Sequence, residues 1–333
     1  MRWREKRLRN LIRRRRILTY TAGAAAATVL SRAAYAWPDQ PMRLVVPFTP
    51  AGGPDFIARF VGERLSRRFA QPVVVENLPG ASGNIGSLQV ARAKPDGLTI
   101  MSSVNTLVMN ASLFRNLPYD PVWDFAPLGL SAWGTLALVA HPSQTPGTLA
   151  EMIALAKDRA QTQTYASPGV GTPHHLAMAL LETASGIELV HVPYKGSAGA
   201  VQDLLSGQVG YMFLPVHVAA SYIQAGKLKA LAVGSPERRP QLPDVPTLGE
   251  SGLKDADVDM WYGFFAPKGT PADVVDRLNR EIVAILDSPE AKTAFEKQGL
   301  IPATSTPVAL GEIAARDRVR WADIVARRGI QPE

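Results

Sequence analysis

The chain has 333 residues, with 36 Lys/Arg against 29 Asp/Glu, five histidines, no cysteine and a formal net charge of +7. The missing cysteines exclude a disulfide framework, a thiolate zinc site, a thiol nucleophile and an acylated-cysteine anchor. The charge would suit a nucleic-acid binder, but ten basic residues and one acid, Glu5, lie in Met1 to Ala36, leaving 26 basic against 28 acidic residues beyond them.

The first element in chain order is that basic leader. Arg13-Arg14-Arg15-Arg16 precedes an apolar stretch from Ile17 to Leu30, and Ala34-Tyr35-Ala36 fits a small-residue cleavage site, so a signal peptide cleaved after Ala36 is expected. The stretch is shorter than the roughly 20 apolar residues of a membrane span. Arg14-Arg15-Arg16-Ile17-Leu18 resembles the twin-arginine export pattern, and both export routes stay open. A periplasmic protein is the expectation. The chain beyond the leader is longer than one hydrophobic core usually serves, so two lobes are expected.

From Arg43 to about Lys229, short apolar runs alternate with amphipathic stretches, the pattern of an α/β fold with mainly parallel sheets flanked by helices. Leu44-Val45-Val46 and Val73-Val74-Val75 read as buried strands, and between them Ile57, Phe60, Val61, Arg64 and Leu65 fall at helical spacing. Further strands are expected over 98–102, 136–140, 189–192, 209–213, 228–233 and 261–266, and helices over 149–160, 173–184, 198–205 and 216–225. The segment 234–254, rich in Pro, Gly and charge, reads as a loop. Helices are expected to start at Thr270-Pro271 and Thr306-Pro307, each with Thr as cap and Pro first in the helix. After Thr270-Pro271, Val274, Leu278, Ile282 and Ile285 form one face. This predicts one lobe from 37–137 plus 261–333, a second from 138–260, and a ligand cleft between them.

Three glycine loops carry the candidate chemistry. Pro47-Phe48-Thr49-Pro50-Ala51-Gly52-Gly53-Pro54-Asp55 joins a buried strand to a helix. Its glycines allow close backbone approach, and the helix N-terminus favours an anion such as a carboxylate. The same residues would also serve as an ordinary strand-to-helix turn capped by Asp55. That acid would repel an anionic ligand unless its oxygens are occupied by donors or face a bridging water. The junction from Tyr165 to His174, with Gly169, Gly171, Thr172 and Pro173, repeats the arrangement in the other lobe. The third loop, Gly80-Ala81-Ser82-Gly83-Asn84-Ile85-Gly86, misses both the dinucleotide fingerprint and the phosphate-cradling loop, so no cofactor is expected.

These loops and their surroundings resemble the substrate-binding proteins of tripartite tricarboxylate transporters, the TctC or Bug family. The resemblance rests on Val45-Val46-Pro47-Phe48 with Gly52, Gly53, Asp55 and Ala58-Arg59; the Gly80 to Gly86 loop; Pro95-Asp96-Gly97; and Leu117-Pro118-Tyr119-Asp120-Pro121-Val122 with Asp124-Phe125. It continues through His191-Val192-Pro193-Tyr194-Lys195-Gly196 and Ala225 to Ala232, in order along the whole chain after the leader. It implies a Venus-flytrap fold, carboxylate binding largely through backbone groups and water, delivery to a membrane permease, and no catalysis. Two departures stand out: Ala51 replaces a frequent glycine, and Leu214-Pro215 stands where the family often has Asp. The second removes a partner for a ligand ammonium group, which favours a plain mono- or dicarboxylic acid, aromatic ones included, over an amino acid.

The candidate ligand contacts in the first loop are Phe48, Thr49, Ala51, Gly52, Gly53 and Asp55, with Ser82 in the third loop and Asn105 after the 98–102 strand. Ser167, Gly171, Thr172 and His174 come from the second junction, and Tyr194 and Leu214 from second-lobe strand ends. Lys195 could add positive potential there, although a solvated lysine is the commoner outcome. His174, polar in a first helical turn, reads equally well as a solvated residue. His174 and His175 are adjacent and point about 100° apart on a helix, so no metal site is expected. Trp123, Trp133, Trp261 and Phe213 read as core before cleft. A secreted serine hydrolase is the enzyme alternative, weakened by the lack of G-x-S-x-G. A carboxylate sensor signalling to a membrane partner is the other. A monomer without nucleic-acid partners is expected.

Overall fold

The computed structural model describes residues 37–50, 52–158, 163–194, 196–253, 256 and 258–332. The expected signal peptide, Ala51 and Lys195 lie outside the described residues. Residues 41–333 form one compact unit and 1–40 another, of which the described part, 37–40, is irregular.

Strands β1 (Met42–Val46), β2 (Val73–Asn77), β3 (Thr99–Val104) and β4 (Phe125–Gly134) join β10 (Met260–Pro267) and β11 (Leu300–Pro302) in one sheet, ordered β11-β4-β10-β3-β1-β2. The second sheet takes the intervening strands β5 (Leu136–Ala140), β6 (Thr164–Ser167), β7 (Val190–Pro193), β8 (Tyr211–Pro215) and β9 (Lys229–Val233), ordered β7-β6-β8-β5-β9. In the first sheet β10 and β11 run against the other four strands, and in the second β5 runs against the other four. The mainly parallel reading holds for direction. Strands β10 and β5 nonetheless stand between strands that share a direction, so the parallel ladders are broken in both sheets.

The helix α1 (Gly53–Phe69) forms because Ile57, Val61 and Leu65 line one face and are 0% exposed against the sheet. Each contributes about 1.5–3 kcal/mol of burial. Arg64, on the same stripe, lays its guanidinium 3.5 Å over the Phe60 ring, so it covers the core edge instead of entering it. The face read after Thr270-Pro271 is buried in α8 (Ala272–Leu286). Its start differs from expectation. Thr270 donates its hydroxyl to Pro267 O at 2.8 Å and Pro271 takes the cap position. By contrast, Thr306 caps α10 (Pro307–Arg327) with Pro first in the helix, as expected. The expected 149–160 helix is Leu149–Lys157, here α4, capped by Thr148.

Strand β4 was not legible. Pro127 and Gly129 argue against a strand, and Gly129 sits at φ +149 where Asn279 on α8 donates to Leu128 O at 2.7 Å. The β4–β10 pairing shifts register twice to admit these residues. The chain passes between sheets through Thr135 alone, whose hydroxyl donates to Asp259 at 3.0 Å, and returns at β10 after the irregular segment 234–253.

Candidate functional site

The loops after β1, β2 and β3 emerge side by side at the carboxyl edge of the first sheet, where open α/β sheets place ligands. They are packed on one another. A Cβ on Gly83 would stand 3.2 Å from the Phe48 ring, and one on Gly86 would stand 2.8 Å from Leu78 O and 2.9 Å from Pro47 Cα. Asn77 donates to Phe48 O at 3.1 Å, and Ser102 donates to Pro54 O at 3.1 Å, which ties β3 to the first turn of α1. Thr49 and Gly52 remain exposed and Phe48 half-buried.

Asp55 is 4% exposed and fully engaged: Arg59 Nε lies 3.1 and 3.0 Å from its two oxygens, and Asn77 Nδ2 donates at 2.9 Å. Its charge is met by Arg59 on α1 and Asn77 at the end of β2, so it braces the turn with its oxygens occupied. Gly52 is the N-cap of α1 and offers no side-chain cap.

The Gly80–Gly83 loop is strained. Gly80, Ala81, Ser82 and Gly83 all have positive φ, at 133, 46, 53 and 93°, and the two non-glycine residues each cost on the order of 1–2 kcal/mol. Asn110 compensates by donating to Ser82 O at 3.0 Å, while Asn84 accepts from Tyr119 at 2.8 Å. Here helix α2 (Asn84–Ala91) begins at Gly83, again with no side-chain cap. Asn105, 1% exposed, precedes α3 (Thr106–Leu113) and keeps a buried Oδ1 with no partner among the described residues.

In the second sheet, the loop after β6 leads into α5 (Pro173–Ser185). Thr172 caps the helix through His175 N and donates to Gly169 O at 2.8 Å. Gly171, at φ +75, comes so close to α3 that a Cβ would stand 2.8 Å from Leu113 Cδ1. This loop therefore meets the first sheet's helices. His174 is half-buried with its Nδ1 sealed from solvent and without a partner among the described residues; burial pushes it down to about 4.

Two other second-sheet candidates face inward. Tyr194 donates to Asp203 at 2.6 Å and packs on a buried cluster with Met212 and Leu214; burial pushes its phenol up to about 12, with Asp203 adding to the shift. Leu214, 1% exposed, puts its side chain in that cluster, leaving only backbone at the strand end. Trp261 and Phe213 are fully buried, whereas Trp123 is 68% exposed.

Sequence reading missed what supports the second loop. Ser167, fully buried, lies 2.7 Å from His191 Nε2 and donates to Gly169 O at 2.9 Å. Gly171 N donates to His175 Nδ1 at 3.0 Å, and the His175 and His191 rings stack 4.1 Å apart. The Ser–His pair is half of a hydrolase constellation, but the sealed serine leaves no space for a substrate carbonyl. Among the described residues no His/Asp/Glu group is placed to hold a metal ion. Only the histidines in the loop sequence hinted at this support.

Burial pushes His175 down to about 3, with His191 and Arg328 adding to it, and His191 down to about 4. Both stay neutral when folded but take up protons when unfolded below about 6.5. Stability from this stack is complete above that pH and lost as pH falls toward 4. The melting temperature is expected to drop steeply over that window, and His191→Phe, which keeps the stack without a titrating group, should flatten the drop. An unchanged profile in the variant would contradict this account.

A cavity of about 710 Å³ lies elsewhere, lined by Lys157, Glu182, Glu188 and Arg328 among others. Its buried acid Glu182 is already paired with Arg328 at 2.9 Å, so the cavity offers no unmet charge there.

The model of the tripartite tricarboxylate transporter family receptor matches residues 57–330. The fold is similar to three solved proteins. The periplasmic binding protein BugD is 36% identical with a TM-score of 0.77, covering 89% of this chain and 100% of that one. A Rhodopseudomonas palustris protein solved with adipate is 32% identical with a TM-score of 0.80, covering 89% and 100%. MatC from Rhodopseudomonas palustris, solved with bound malate, is 31% identical with a TM-score of 0.75, covering 87% and 100%.

Proposed function

The chain belongs to the tripartite tricarboxylate transporter receptor family, and from that premise we propose that it is an exported, two-lobed solute-binding protein without catalytic activity. It captures a small organic acid between lobes 37–137 plus 261–333 and 138–260, and delivers it to a tripartite tricarboxylate-type permease. The observation that carries this reading is that two helix starts without a side-chain cap, at Gly52 and Gly83, stand side by side at the carboxyl edge of the first sheet. Other helices, among them α3 and α8, also lack a side-chain cap, but α1 and α2 begin at Gly52 and Gly83 in adjacent loops packed on each other. Uncapped N–H groups and the positive dipole ends favour an anion. The likeness to proteins solved with adipate and malate supports a carboxylate. The glycine loops after β1 and β6 are the proposed contacts, with Ser82 and Asn105 beside them and His174 across. Tyr194, Asp55 and Ser167 act by bracing these loops.

Thermal unfolding of residues 37–333 with mono-, di- and tricarboxylates, aromatic acids and amino acids tests this. A ligand that binds only the folded state adds about 2.7 kcal/mol at one hundred times its Kd. One class of acid is expected to raise the melting temperature by several degrees. If no acid does so and denatured protein releases none to mass spectrometry, the reading fails.

A further inference from the structure

The residue closest to the start of α1 is a tyrosine no sequence signal singled out. Tyr262 stands on β10 opposite Val104, the last residue of β3, and is 5% exposed. A Cβ on Gly53, the first residue of α1, would stand 2.8 Å from its hydroxyl oxygen and 2.9 Å from Cε1. A Cβ on Gly134 would stand 2.9 Å from its Cε2. The ring is thus wedged between the first turn of the anion-favouring helix and the strand residue next to Thr135, where the chain crosses between sheets.

No hydrogen bond reaches the Tyr262 hydroxyl from the described residues. Its oxygen is not among the side-chain atoms sealed from solvent without a partner, so on an otherwise buried ring it stays open to a partner from outside the fold. Burial pushes the phenol well above its usual range, so the group is a neutral O–H donor at any physiological pH.

We propose that Tyr262 is a ligand-binding residue whose hydroxyl donates to a carboxylate oxygen held at the start of α1. Its ring couples occupancy of that position to the β4/β5 crossing at Thr135. The proposal rests on the carboxylate-binding reading above. It accounts for glycine at both 53 and 134: a side chain at either would displace the ring, from the ligand side or from the crossing side. A carboxylate meets donors from the helix start and the phenol together, which a neutral amide or ester in the same place exploits less well.

The test is Tyr262→Phe, which keeps the wedge and removes one oxygen. Adipate, malate, citrate and benzoate are screened by thermal shift on the unaltered protein, and the acid with the largest shift is titrated calorimetrically. The variant is expected to bind it about tenfold more weakly, as for a lost hydrogen bond to a charged group, with the ligand-free melting temperature unchanged or raised. Gly134→Ala, which retains the hydroxyl but presses on the ring, is expected to weaken binding similarly. Equal affinity in Tyr262→Phe, or a ligand-free melting temperature lowered by several degrees, overturns the assignment while leaving the carboxylate reading intact. If none of the four acids shifts the unaltered protein and none is retained by it, the carboxylate reading fails and takes this assignment with it.

Discussion

Replacing Gly86 by alanine is expected to destabilise the protein by about 2 kcal/mol or more and to abolish its response to acids at the same time. The added Cβ would meet backbone, Leu78 O at 2.8 Å and Pro47 Cα at 2.9 Å, not the end of a flexible side chain. Alanine gains about 1 kcal/mol of helix propensity over glycine at that position, too little to offset a backbone overlap. Relief requires Pro47 to move, and Pro47 opens the loop that carries Phe48, Gly52 and Gly53. Gly226→Ala is the control: Gly226 has φ +67 with nothing within 4 Å of a Cβ, so it costs only the left-handed strain of about 1–2 kcal/mol. Urea midpoints and the thermal shift with acid, measured on both variants, separate the effects. Gly86→Ala matching Gly226→Ala in both would mean the first two loops do not lean on each other.

The features legible in the sequence are those whose physics is local. Continuous apolar runs such as Leu44-Val45-Val46 gave strands, and the Ile57/Val61/Leu65 stripe gave α1, because burial period is written residue by residue. The turns proposed to deliver ligand contacts were visible as glycines between a strand and a helix. Their supports were not, because a partner distant in sequence leaves no local pattern. Asn77 bracing Asp55, Asn110 holding the strained Ser82 carbonyl and His175 accepting from Gly171 are each fixed only by the fold. Strand β4 was hidden for the same reason, since Pro127 and Gly129 fit a strand only where Asn279 and a register shift accommodate them. Tyr194 and Leu214 illustrate the converse. A strand end reads as a cleft position, but which face its side chain takes depends on the helix packed there, and both side chains turn toward the cluster that includes Ala200 and Leu204 of α6 (Ser197–Leu205).

The second large effect concerns the other end of α5. Glu182 there is 3% exposed, accepts from Leu189 N at 2.7 Å, and is paired at 2.9 Å with Arg328, which succeeds α10 in the chain. Helix α10 packs on β4 and α3, while α5 packs on β6 and β8, so the pair ties a helix of the first sheet to one of the second. Burial already raises the Glu182 carboxyl, with Arg328 and Leu189 holding it back. Arg328→Ala removes the opposing charge and is expected to cost about 2–4 kcal/mol at pH 7.5, somewhat below the usual penalty for an orphaned buried charge because Arg328 itself is partly exposed. Glu182→Gln should cost less, since Leu189 keeps an acceptor and no charge is buried. The sign with pH comes from linkage: an acid whose folded value lies above its unfolded value destabilises at high pH and recovers as the carboxyl takes up a proton. The deficit of Arg328→Ala, read as the difference in urea midpoint from the unaltered protein, should therefore shrink between pH 8 and pH 5.5, whereas that of Glu182→Gln should not. A deficit independent of pH would mean that Arg328 acts through packing and not through its charge. Because the proposed ligand loop sits at the start of α5 and this pair near its end, about 15 Å of helix separates them. Arg328→Ala should then leave acid affinity within a few-fold while lowering stability, the opposite balance from Tyr262→Phe.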